Sequence, residues 1–356
     1  MPLQYFTATD FRCLGQVELE ANPHYNLIFG SNASGKTSLL EAIAYLGRGK
    51  SFRGAATQDL IRHGAAEFLL RGKVREGSRQ ATVGVRNSRE GLEVRVDGDS
   101  KGGAAALAIT LPLQVLDPEV HNLVAGGPEQ RRRYLDWLAF HVEHGYLELW
   151  RRFRRALKQR NAALRDGAGR AELVGWEQEL AETGLALDAA RQRVLEISRP
   201  ALEETGAALL DAALDFRYQR GWSTEQSLAE ALRSGAERDR QLGSTQAGPQ
   251  RADLQLIYDE RRARKQVSRG QQKLLACTLI LAATEVAQTH LEKPLLLLLD
   301  DPAAELDAES LGRLMAAVIG LGCQVIATAL EPDTELFPEA PALFHVEQGV
   351  LKKVVQ

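Results

Sequence analysis

The chain contains few cysteines and none of the signals that direct a protein across a membrane. Its three cysteines, Cys13, Cys277 and Cys323, lie far apart and show neither the close spacing of a zinc site nor the even number of a disulfide framework. The N-terminus lacks a basic segment followed by an apolar core, so we predict no secretory signal. These absences favour a protein of the reducing cytoplasm.

Long apolar runs, internal repeats and a strong net charge are missing as well. We find no window of about 18 apolar residues and therefore expect no membrane-spanning segment. The sequence contains no sustained heptad pattern, so we expect no long coiled coil. The net charge is only −3, which excludes a protein that is basic throughout. At 356 residues, however, the chain is long enough for a large core and more than one domain.

A glycine-rich loop near the N-terminus is the first feature that indicates chemistry. Residues 30–37 read GSNASGKT and fit the phosphate-loop pattern G-x-x-x-x-G-K-[ST], between an apolar strand at 25–29 and a helix at 38–46. In such a loop, backbone N–H groups and the lysine bind phosphate, and the hydroxyl binds Mg²⁺. An ordinary Gly/Ser turn is the alternative. The predicted nucleotide-binding residues are Gly30, Ser31, Asn32, Ala33, Ser34, Gly35, Lys36, Thr37 and Ser38, with Thr37 also a magnesium ligand.

Two carboxylates follow an apolar run near the other end of the chain. Residues 295–299 are all leucine and lead into Asp300 and Asp301. The run is too short to span a bilayer and suits a parallel strand buried on both faces, whose carboxyl end is where ligands bind. We predict that Asp300 holds magnesium and that Asp301 orients the attacking water. An acidic turn is the alternative, but the phosphate loop favours the catalytic interpretation.

A third segment, VSRGQQK at 267–273, precedes the leucine run. Its combination with the phosphate loop and the carboxylates narrows the class to ATPases that close as pairs. The predicted nucleotide contacts in this signature segment are Ser268, Gly270 and Gln271.

With these segments the chain resembles the RecF family of ABC-type ATPases of DNA maintenance, over nearly its whole length. The combination is specific, whereas any single segment would not be. Beyond the three motifs, the resemblance is carried by Phe11-Arg12, LDPE at 116–119, GGP at 126–128, RRRYLD at 131–136, GPQRADL at 248–254 and DDPAAELD at 300–307.

The resemblance implies roles for further residues. In ABC ATPases the signature segment contacts the γ-phosphate bound to the partner subunit, so Ser268 and the N–H of Gly270 would reach the phosphate held by Lys36 of a second copy. By the same resemblance, Thr328 would sense the γ-phosphate and Gln114 would couple the magnesium ion to the helical domain. ATP and Mg²⁺ are the implied cofactors.

Two departures from the family pattern carry consequences. ABC ATPases generally have glutamate where this chain has Asp301, as RecF-like chains do. A carboxylate one methylene shorter places the water less well, so we expect slow turnover. Gln250 stands where RecF-like chains usually carry histidine, which weakens any role assigned to that position.

The composition changes along the chain, which suggests an insertion. Residues 1 to about 120 favour strands, and the pattern becomes helical and rich in arginine after Pro128. We therefore predict an α/β fold: an ABC-type P-loop ATPase head, SMC-like but without a long coiled coil, carrying an inserted helical lobe. The predicted ATPase domain is discontinuous, at 1–125 and 245–356, and the helical lobe covers 126–244.

Arginines cluster in the predicted lobe. Clusters of this kind bind phosphate backbones even when the net charge is negative, although a solvated helix face is the alternative. The predicted DNA-binding residues are Arg131, Arg132, Arg151, Arg152, Arg154 and Arg155.

The function that the resemblance implies is an ATP-gated DNA clamp in replication and recombinational gap repair. Two copies would close on single-stranded or gapped duplex DNA, and slow, DNA-stimulated hydrolysis would release it. RecR and RecO, with RecA loaded downstream, are the implied protein partners, and no membrane is expected. The nucleotide-binding subunit of an ABC transporter is the alternative. A metabolic kinase is a third, but it leaves the signature segment unexplained.

Overall fold

The computed structural model describes residues 3–77, 79–100, 102–167 and 169–354. The strands are β1 (Leu3–Phe11), β2 (Leu14–Glu20), β3 (Tyr25–Phe29), β4 (Glu67–Glu76), β5 (Arg79–Ser88), β6 (Gly91–Val96), β7 (Leu113–Leu116), β8 (Leu214–Gln219), β9 (Asp253–Tyr258), β10 (Arg261–Arg262), β11 (Leu296–Leu299), β12 (Gln324–Ala329), β13 (Ala342–Glu347) and β14 (Val350–Val354). The helices are α1 (Lys36–Arg48), α2 (Thr57–Leu60), α3 (Gly103–Thr110), α4 (Asn122–Ala125), α5 (Pro128–Val142), α6 (Tyr146–Arg165), α7 (Arg170–Leu209), α8 (Leu228–Ser234), α9 (Ala236–Leu242), α10 (Ala263–Gln266), α11 (Arg269–Leu291) and α12 (Ala308–Gly320).

The chain forms two compact units, one of residues 1–120 with 292–356 and the other of residues 121–291. The predicted boundaries at 125/126 and 244/245 do not coincide with this division. The larger difference is at the second boundary, because residues 245–291, predicted to lie in the ATPase domain, belong to the second unit. There β9 pairs with β8, and α11 packs against α5 and α7. Strand pairing and helix packing between distant segments decided this boundary.

A six-stranded sheet of order β14-β13-β3-β12-β11-β7 organises the first unit. All neighbouring pairs are parallel except the edge pair of β13 with β14. The leucine run of β11 is fully buried between β7 and β12, which confirms the prediction of a buried parallel strand. Because the strands are parallel, the segments that follow β3, β11 and β7 meet at one edge of the sheet.

The first unit also contains a five-stranded antiparallel sheet of order β2-β1-β4-β5-β6. Helix α1 packs against strands of both sheets, which explains why its apolar residues point in all directions. The rings of Phe11, Tyr45 and Phe68 meet edge to face beside α1, with centroids 5.0 and 5.2 Å apart at the two contacts of Phe68. Each such buried side chain stabilises the fold by about 1.5–3 kcal/mol. The helix that follows the phosphate loop is therefore firmly anchored.

The second unit is mainly helical. Helix α7 is 40 residues long and packs along α6, and a three-stranded sheet of order β10-β9-β8 accompanies the helices. Leu195, Leu202 and Leu209 recur every seven residues along α7 and are all buried, so they form an apolar stripe on this helix.

Helix α11 corrects the expectation that the chain lacks a long apolar stretch. An 18-residue window of this helix has a mean hydropathy of 1.4, enough by length and composition to cross a membrane, and 72% of the window is buried. The sequence-based expectation missed it because Thr278, Thr284 and Glu285 interrupt the apolar run. The two threonine hydroxyls donate to carbonyls one turn earlier in the helix. Since α11 packs against α4, α5 and α7, it is a core helix of the second unit.

Candidate nucleotide-binding site

The glycines of the phosphate loop are required by the backbone. Gly30 and Gly35 have φ values of 155° and 116°, in the region that favours glycine. A Cβ atom on Gly30 would lie 2.3 Å from the carbonyl oxygen of Val346, so no side chain fits there. Helix α1 begins directly after Gly35, which has no side chain to cap it. The first N–H groups of α1 therefore remain available to an anion.

The ammonium group of Lys36 lies over the loop. It donates hydrogen bonds to the carbonyl oxygens of Gly30, at 2.8 Å, and Ser31, at 2.9 Å. Burial lowers the pKa of Lys36, while the charges of Asp301 and Asp300 raise it. The lysine thus carries its charge beside the N–H groups of α1 and near both carboxylates.

Asp300 is the centre of a contact between three segments. Its Oδ1 accepts hydrogen bonds from the hydroxyls of Thr37, at 3.0 Å, and Thr328, at 2.8 Å. The residue is only 5% exposed. Burial raises the pKa of Asp300, and the hydrogen bonds from Thr328 and Thr37 lower it. The folding of the sheet therefore brings together a loop hydroxyl, a carboxylate and a second hydroxyl from residues far apart in sequence.

These groups fit a magnesium ion. Mg²⁺ in phosphate-binding sites keeps several waters and takes one or two carboxylates together with substrate phosphates. The carboxylate of Asp300 and the hydroxyl of Thr37 are both oxygen ligands, and they already lie within hydrogen-bonding distance of each other.

Asp301 and Thr328 are directly connected. The backbone N–H of Asp301 donates to Thr328 Oγ1 at 2.9 Å, and Asp301 has a φ of 48°. A left-handed conformation at a residue other than glycine is uncommon and strained, and such residues cluster at functional sites. The hydroxyl of Thr328 therefore links the backbone of Asp301 to the carboxylate of Asp300.

A buried glutamate, which the sequence analysis did not single out, supports the loop after α1. Glu41 is fully buried on α1 and accepts hydrogen bonds from the guanidinium of Arg12 and the hydroxyl of Ser51. Ser51 Oγ in turn accepts from the N–H groups of Arg53 and Ala55. Arg53 of this loop acts on the metal-site carboxylate, because its positive charge lowers the pKa of Asp300. This effect is smaller than those of burial and of the two threonine hydroxyls. The sequence signal that could have identified Glu41 is an acidic residue within the otherwise apolar helix at 38–46.

The signature segment forms the start of α11 in the second unit. The N–H of Ser268 donates to the side chain of Gln271 at 3.0 Å, and the N–H of Gln271 donates to Ser268 Oγ at 3.3 Å. This reciprocal pair is a capping box. Both side chains are exposed. The segment thus presents a hydroxyl and a helix N-terminus at the surface.

Comparisons with known proteins agree with this geometry. A family model described as the RecF/RecN/SMC N terminal domain matches residues 2–352. The chain is 41% identical to the DNA replication and repair protein RecF of Chromohalobacter salexigens, with 99% of each chain covered. It is 40% identical to the protein of the same name from Thioalkalivibrio sulfidiphilus, again with 99% of each covered. The chain belongs to the RecF family.

Solved structures show the same fold. A RecF–ATP structure, described as a recombination mediator protein of the RecFOR pathway, is 26% identical, with a TM-score of 0.90, over 99% of this chain and 97% of that one. An Smc head domain derived from Pyrococcus furiosus is 16% identical with a TM-score of 0.61, over 99% of this chain and 95% of that one, and supports the fold alone. The predicted ABC-type ATPase fold is confirmed. The transporter alternative is not favoured, because the family model and the relatives and structures named above are RecF or SMC proteins.

The structure does not bring Gln114 to the site as the RecF resemblance implied. Gln114 is buried in β7, where it is in register with Leu297, three residues before Asp300. Its side-chain oxygen accepts a hydrogen bond from Arg48 at 3.0 Å. The residue of this segment that reaches the edge of the sheet is Asp117. Asp117 belongs to the LDPE motif of the resemblance, but the sequence analysis assigned it no role.

The structure contradicts the DNA-binding role predicted for Arg131. Its side chain is 3% exposed and pairs with Asp253 at 2.7 Å, and it also donates to three backbone carbonyls of residues 123–126. Arg132 is half-buried and donates to the carbonyl oxygen of Ala252 at 2.8 Å. These two arginines connect segments of the second unit. The repeated charge in the sequence could not show that one guanidinium would be buried.

The remaining predicted arginines lie on α6 and are exposed. Arg152 forms ion pairs with Glu179 at 3.0 Å and Glu182 at 3.6 Å.

Gln250, the residue that departs from the RecF pattern, donates to the carbonyl oxygen of Ala247 at 3.0 Å. Gln250 therefore stabilises its own loop.

Proposed function

We propose that this RecF-family protein is an ATP-gated DNA clamp of replication and recombinational gap repair. The observation that carries the proposal is the meeting of Thr37, Asp300 and Thr328 beside the phosphate loop, in a chain whose signature segment is exposed. The loop alone would support any P-loop nucleotide binder. The additional signature segment supports a site that a second copy completes.

The chain's own groups divide the work of the nucleotide site. The N–H groups at the start of α1, including that of Ser38, hold the β- and γ-phosphates together with the ammonium of Lys36. Thr37 and Asp300 would hold Mg²⁺, which would neutralise negative charge on the phosphates. Asp301 orients the attacking water, and its short side chain keeps turnover slow. Slow hydrolysis of ATP then releases the DNA.

Closure requires two copies. In the proposed dimer, Ser268, Gly270 and Gln271 of one copy approach the γ-phosphate held by Lys36 of the other. An exposed capping box supports this, because its helix N-terminus favours negative charge. Thr328 responds to the γ-phosphate through its contacts with Asp300 and Asp301.

DNA binding is supported by one face of α6. Arg151, Arg154, Arg155 and Lys158 are spaced as helical neighbours, and all four are exposed. In the part of the chain that the structure describes, no ion pair involves any of these four side chains. Arg154 lies over the ring of Trp150, with 5.0 Å to the centroid. Cations interleaved with an aromatic ring suit a phosphate backbone with accessible bases. We call these four residues the α6 basic face.

Neutralising the α6 basic face is expected to flatten the salt dependence of DNA binding. Each phosphate contact contributes about 0.9 to the slope of log K against log salt for duplex DNA and about 0.7 for single strands. Changing all four residues to glutamine should therefore lower the slope by about 2–4. Fluorescence anisotropy with gapped DNA over a range of salt concentrations measures the slope.

A second quadruple variant provides the matched control. Four other arginines of the same unit are exposed or partly exposed, and each is paired with a glutamate: Arg133, Arg193, Arg199 and Arg240. Changing these four to glutamine removes the same charge elsewhere and should leave the slope nearly unchanged. If both variants flatten it equally, only the net charge matters and the α6 basic face is a solvated surface.

The partners beyond DNA are proposed from the names of relatives. The relatives are DNA replication and repair proteins, and the neighbouring structure belongs to the RecFOR pathway. We propose that RecR and RecO act with the clamp and that RecA is loaded downstream.

The molar mass of the protein in solution tests the central claim, that two copies close on DNA when ATP is bound. Two chains of 39.1 kDa should associate on gapped DNA with ATP-Mg²⁺. A monomer throughout, with no DNA bound, would exclude a clamp.

Replacing Asp300 with asparagine is expected to stop ATP hydrolysis while the fold is kept. The asparagine can still accept from the hydroxyls of Thr37 and Thr328, but it removes the charge that binds magnesium. Turnover should fall at least about 100-fold, since buried charged contacts contribute about 3 kcal/mol or more. Steady-state phosphate release measures this. Unchanged turnover would place the metal at another group.

A further inference from the structure

A cavity of about 370 Å³ lies in the first unit beside the third turn of α1. Its volume is in the range of protein sites that hold small molecules. The walls come from α1, from α2 and the residue after it, and from the turn between β5 and β6. Tyr45, one of the wall residues, lies nine residues after Lys36 on α1, which is about 14 Å along the helix axis. The cavity is therefore not part of the phosphate loop.

Asn87 is the polar centre of this cavity, which we call the Asn87 cavity. The residue lies on β5 and is only 3% exposed. Its amide nitrogen donates to the hydroxyl oxygens of Tyr45, at 2.7 Å, and Thr57, at 3.4 Å. Among the described residues, no group donates to Asn87 Oδ1, and neither hydroxyl proton has an acceptor. A buried acceptor and two hydroxyl donors thus line the cavity with unused hydrogen-bonding capacity.

The exposed part of the cavity wall carries a cation and an apolar side chain. Arg89 is exposed and forms no ion pair in the part of the chain that the structure describes. The adjacent Glu90 does not line the cavity. Leu92, on β6, is 40% exposed. A guanidinium without a carboxylate partner can bind a phosphate, and an exposed leucine offers apolar contact to a ring.

The polar groups of the Asn87 cavity match one edge of an unpaired thymine. A thymine ring presents an imino N–H between two carbonyl oxygens. The N–H can donate to Asn87 Oδ1, while a carbonyl oxygen accepts from the hydroxyl of Tyr45 or Thr57. Burial raises the pKa of Tyr45, more than the hydrogen bond from Asn87 lowers it, so this hydroxyl keeps its proton at neutral pH. In duplex DNA the same edge of thymine is paired, so a single strand is what offers it.

We propose that the Asn87 cavity binds one unpaired thymine of single-stranded DNA, with Asn87 recognising the base and Arg89 contacting its phosphate. The proposal rests on the proposed function, because a gap supplies such bases to the clamp. Binding of the base itself requires neither dimer formation nor ATP hydrolysis. An amide group of a protein partner would offer a similar donor and acceptor, but it is smaller than the cavity and brings no phosphate to Arg89.

The test is the binding of free thymidine to the ADP-Mg²⁺-bound monomer, whose phosphate loop is already filled. Saturation-transfer difference NMR detects weak ligands, and titration gives the dissociation constants. Thymidine should bind, and thymidine 5′-monophosphate should bind about 3-fold or more tightly through the exposed guanidinium. N3-methylthymidine should bind at least about 10-fold more weakly, because its ring has no N–H for Asn87. No binding of thymidine, or equal binding of its N3-methyl form, would overturn the proposal.

Two variants locate the base in the cavity. Asn87→Val has a side chain of similar size that suits a strand, and it should weaken thymidine binding about 10-fold. Leu92→Trp fills the cavity from an exposed position, leaves the buried polar groups in place and should weaken binding at least as much. Val350→Trp is the matched control, since Val350 is exposed on β14 of the same unit. Normal thymidine binding by Leu92→Trp would place the base elsewhere and overturn the proposal.

A charge variant and two further probes test the assignment to a DNA strand. Arg89→Gln should remove the advantage of the monophosphate over thymidine, whereas Arg95→Gln, at an exposed arginine on β6, should not. The trinucleotide d(TpTpT) should bind at least as tightly as the monophosphate. Weaker binding of the trinucleotide would indicate a site for free nucleotides, and tighter binding of N-acetylleucinamide than of thymidine would indicate a site for a peptide. Either result would overturn the assignment, and a clamp that fails to form would affect none of these measurements.

Discussion

Replacing Lys36 with methionine is expected to abolish ATP binding and, with it, the ATP-dependent dimer. The ammonium now donates to the carbonyl oxygens of Gly30 and Ser31, which holds its charge over the loop. Hydrogen bonds from a charged donor to phosphate contribute about 1.5–3 kcal/mol each. Loss of two such bonds corresponds to a fall in affinity of about 100-fold or more. Methionine retains the apolar stem, so the loop should still fold.

Calorimetry with a slowly hydrolysed ATP analogue measures the affinity, and light scattering measures the dimer. Lys352→Met is the matched control, since Lys352 is an exposed lysine on β14 of the same unit. That variant should bind ATP and associate normally. ATP-induced dimers of normal mass in Lys36→Met would contradict both the site and the coupling of nucleotide to association.

Replacing Ser268 with arginine is expected to separate ATP binding from association. Ser268 is exposed, so a longer side chain is tolerated in the monomer. Loss of its cap on α11 costs about 0.5–2 kcal/mol, a local effect on a helix that is mostly buried. In the proposed dimer, however, the arginine would occupy the space of the partner's γ-phosphate and displace the helix N-terminus. The variant should bind ATP within about 2-fold of normal and stay monomeric.

Thr289→Arg is the control for this experiment. Thr289 is exposed near the other end of α11, about 30 Å from Ser268 along the helix. An arginine there should leave ATP-dependent association intact. If Ser268→Arg pairs as well as Thr289→Arg does, the signature segment does not contact the nucleotide of a second copy.

Short contiguous patterns predicted much of this protein. The helix after the predicted phosphate loop and the buried leucine strand are confirmed, because each depends on residues that are neighbours in sequence. The loop requires glycine at two positions whose backbone is left-handed or crowded. The five consecutive leucines are stable only when buried in the protein interior, away from water. Family membership also followed from these motifs taken together.

Predictions that depended on long-range contacts were less accurate. Arg131 was grouped with exposed arginines, yet its partner Asp253 is distant in sequence and buries it. Gln114 was chosen as the magnesium residue of its strand, but strand register places it in line with Leu297. The burial of α11 and the extent of the second unit depend likewise on helix packing.

The sequence by itself determined the elements of the candidate nucleotide site: which loop has the phosphate-loop pattern, which strand carries the acids and which segment caps α11. These are local properties, since backbone conformation, helix capping and strand burial depend on adjacent residues. Only the tertiary structure decided which groups meet there. Sheet register set Asp300 beside Thr37, Thr328 and Asp117, and packing selected which arginines are exposed. Register and burial depend on hydrogen bonds and contacts between distant segments, which a local pattern does not contain.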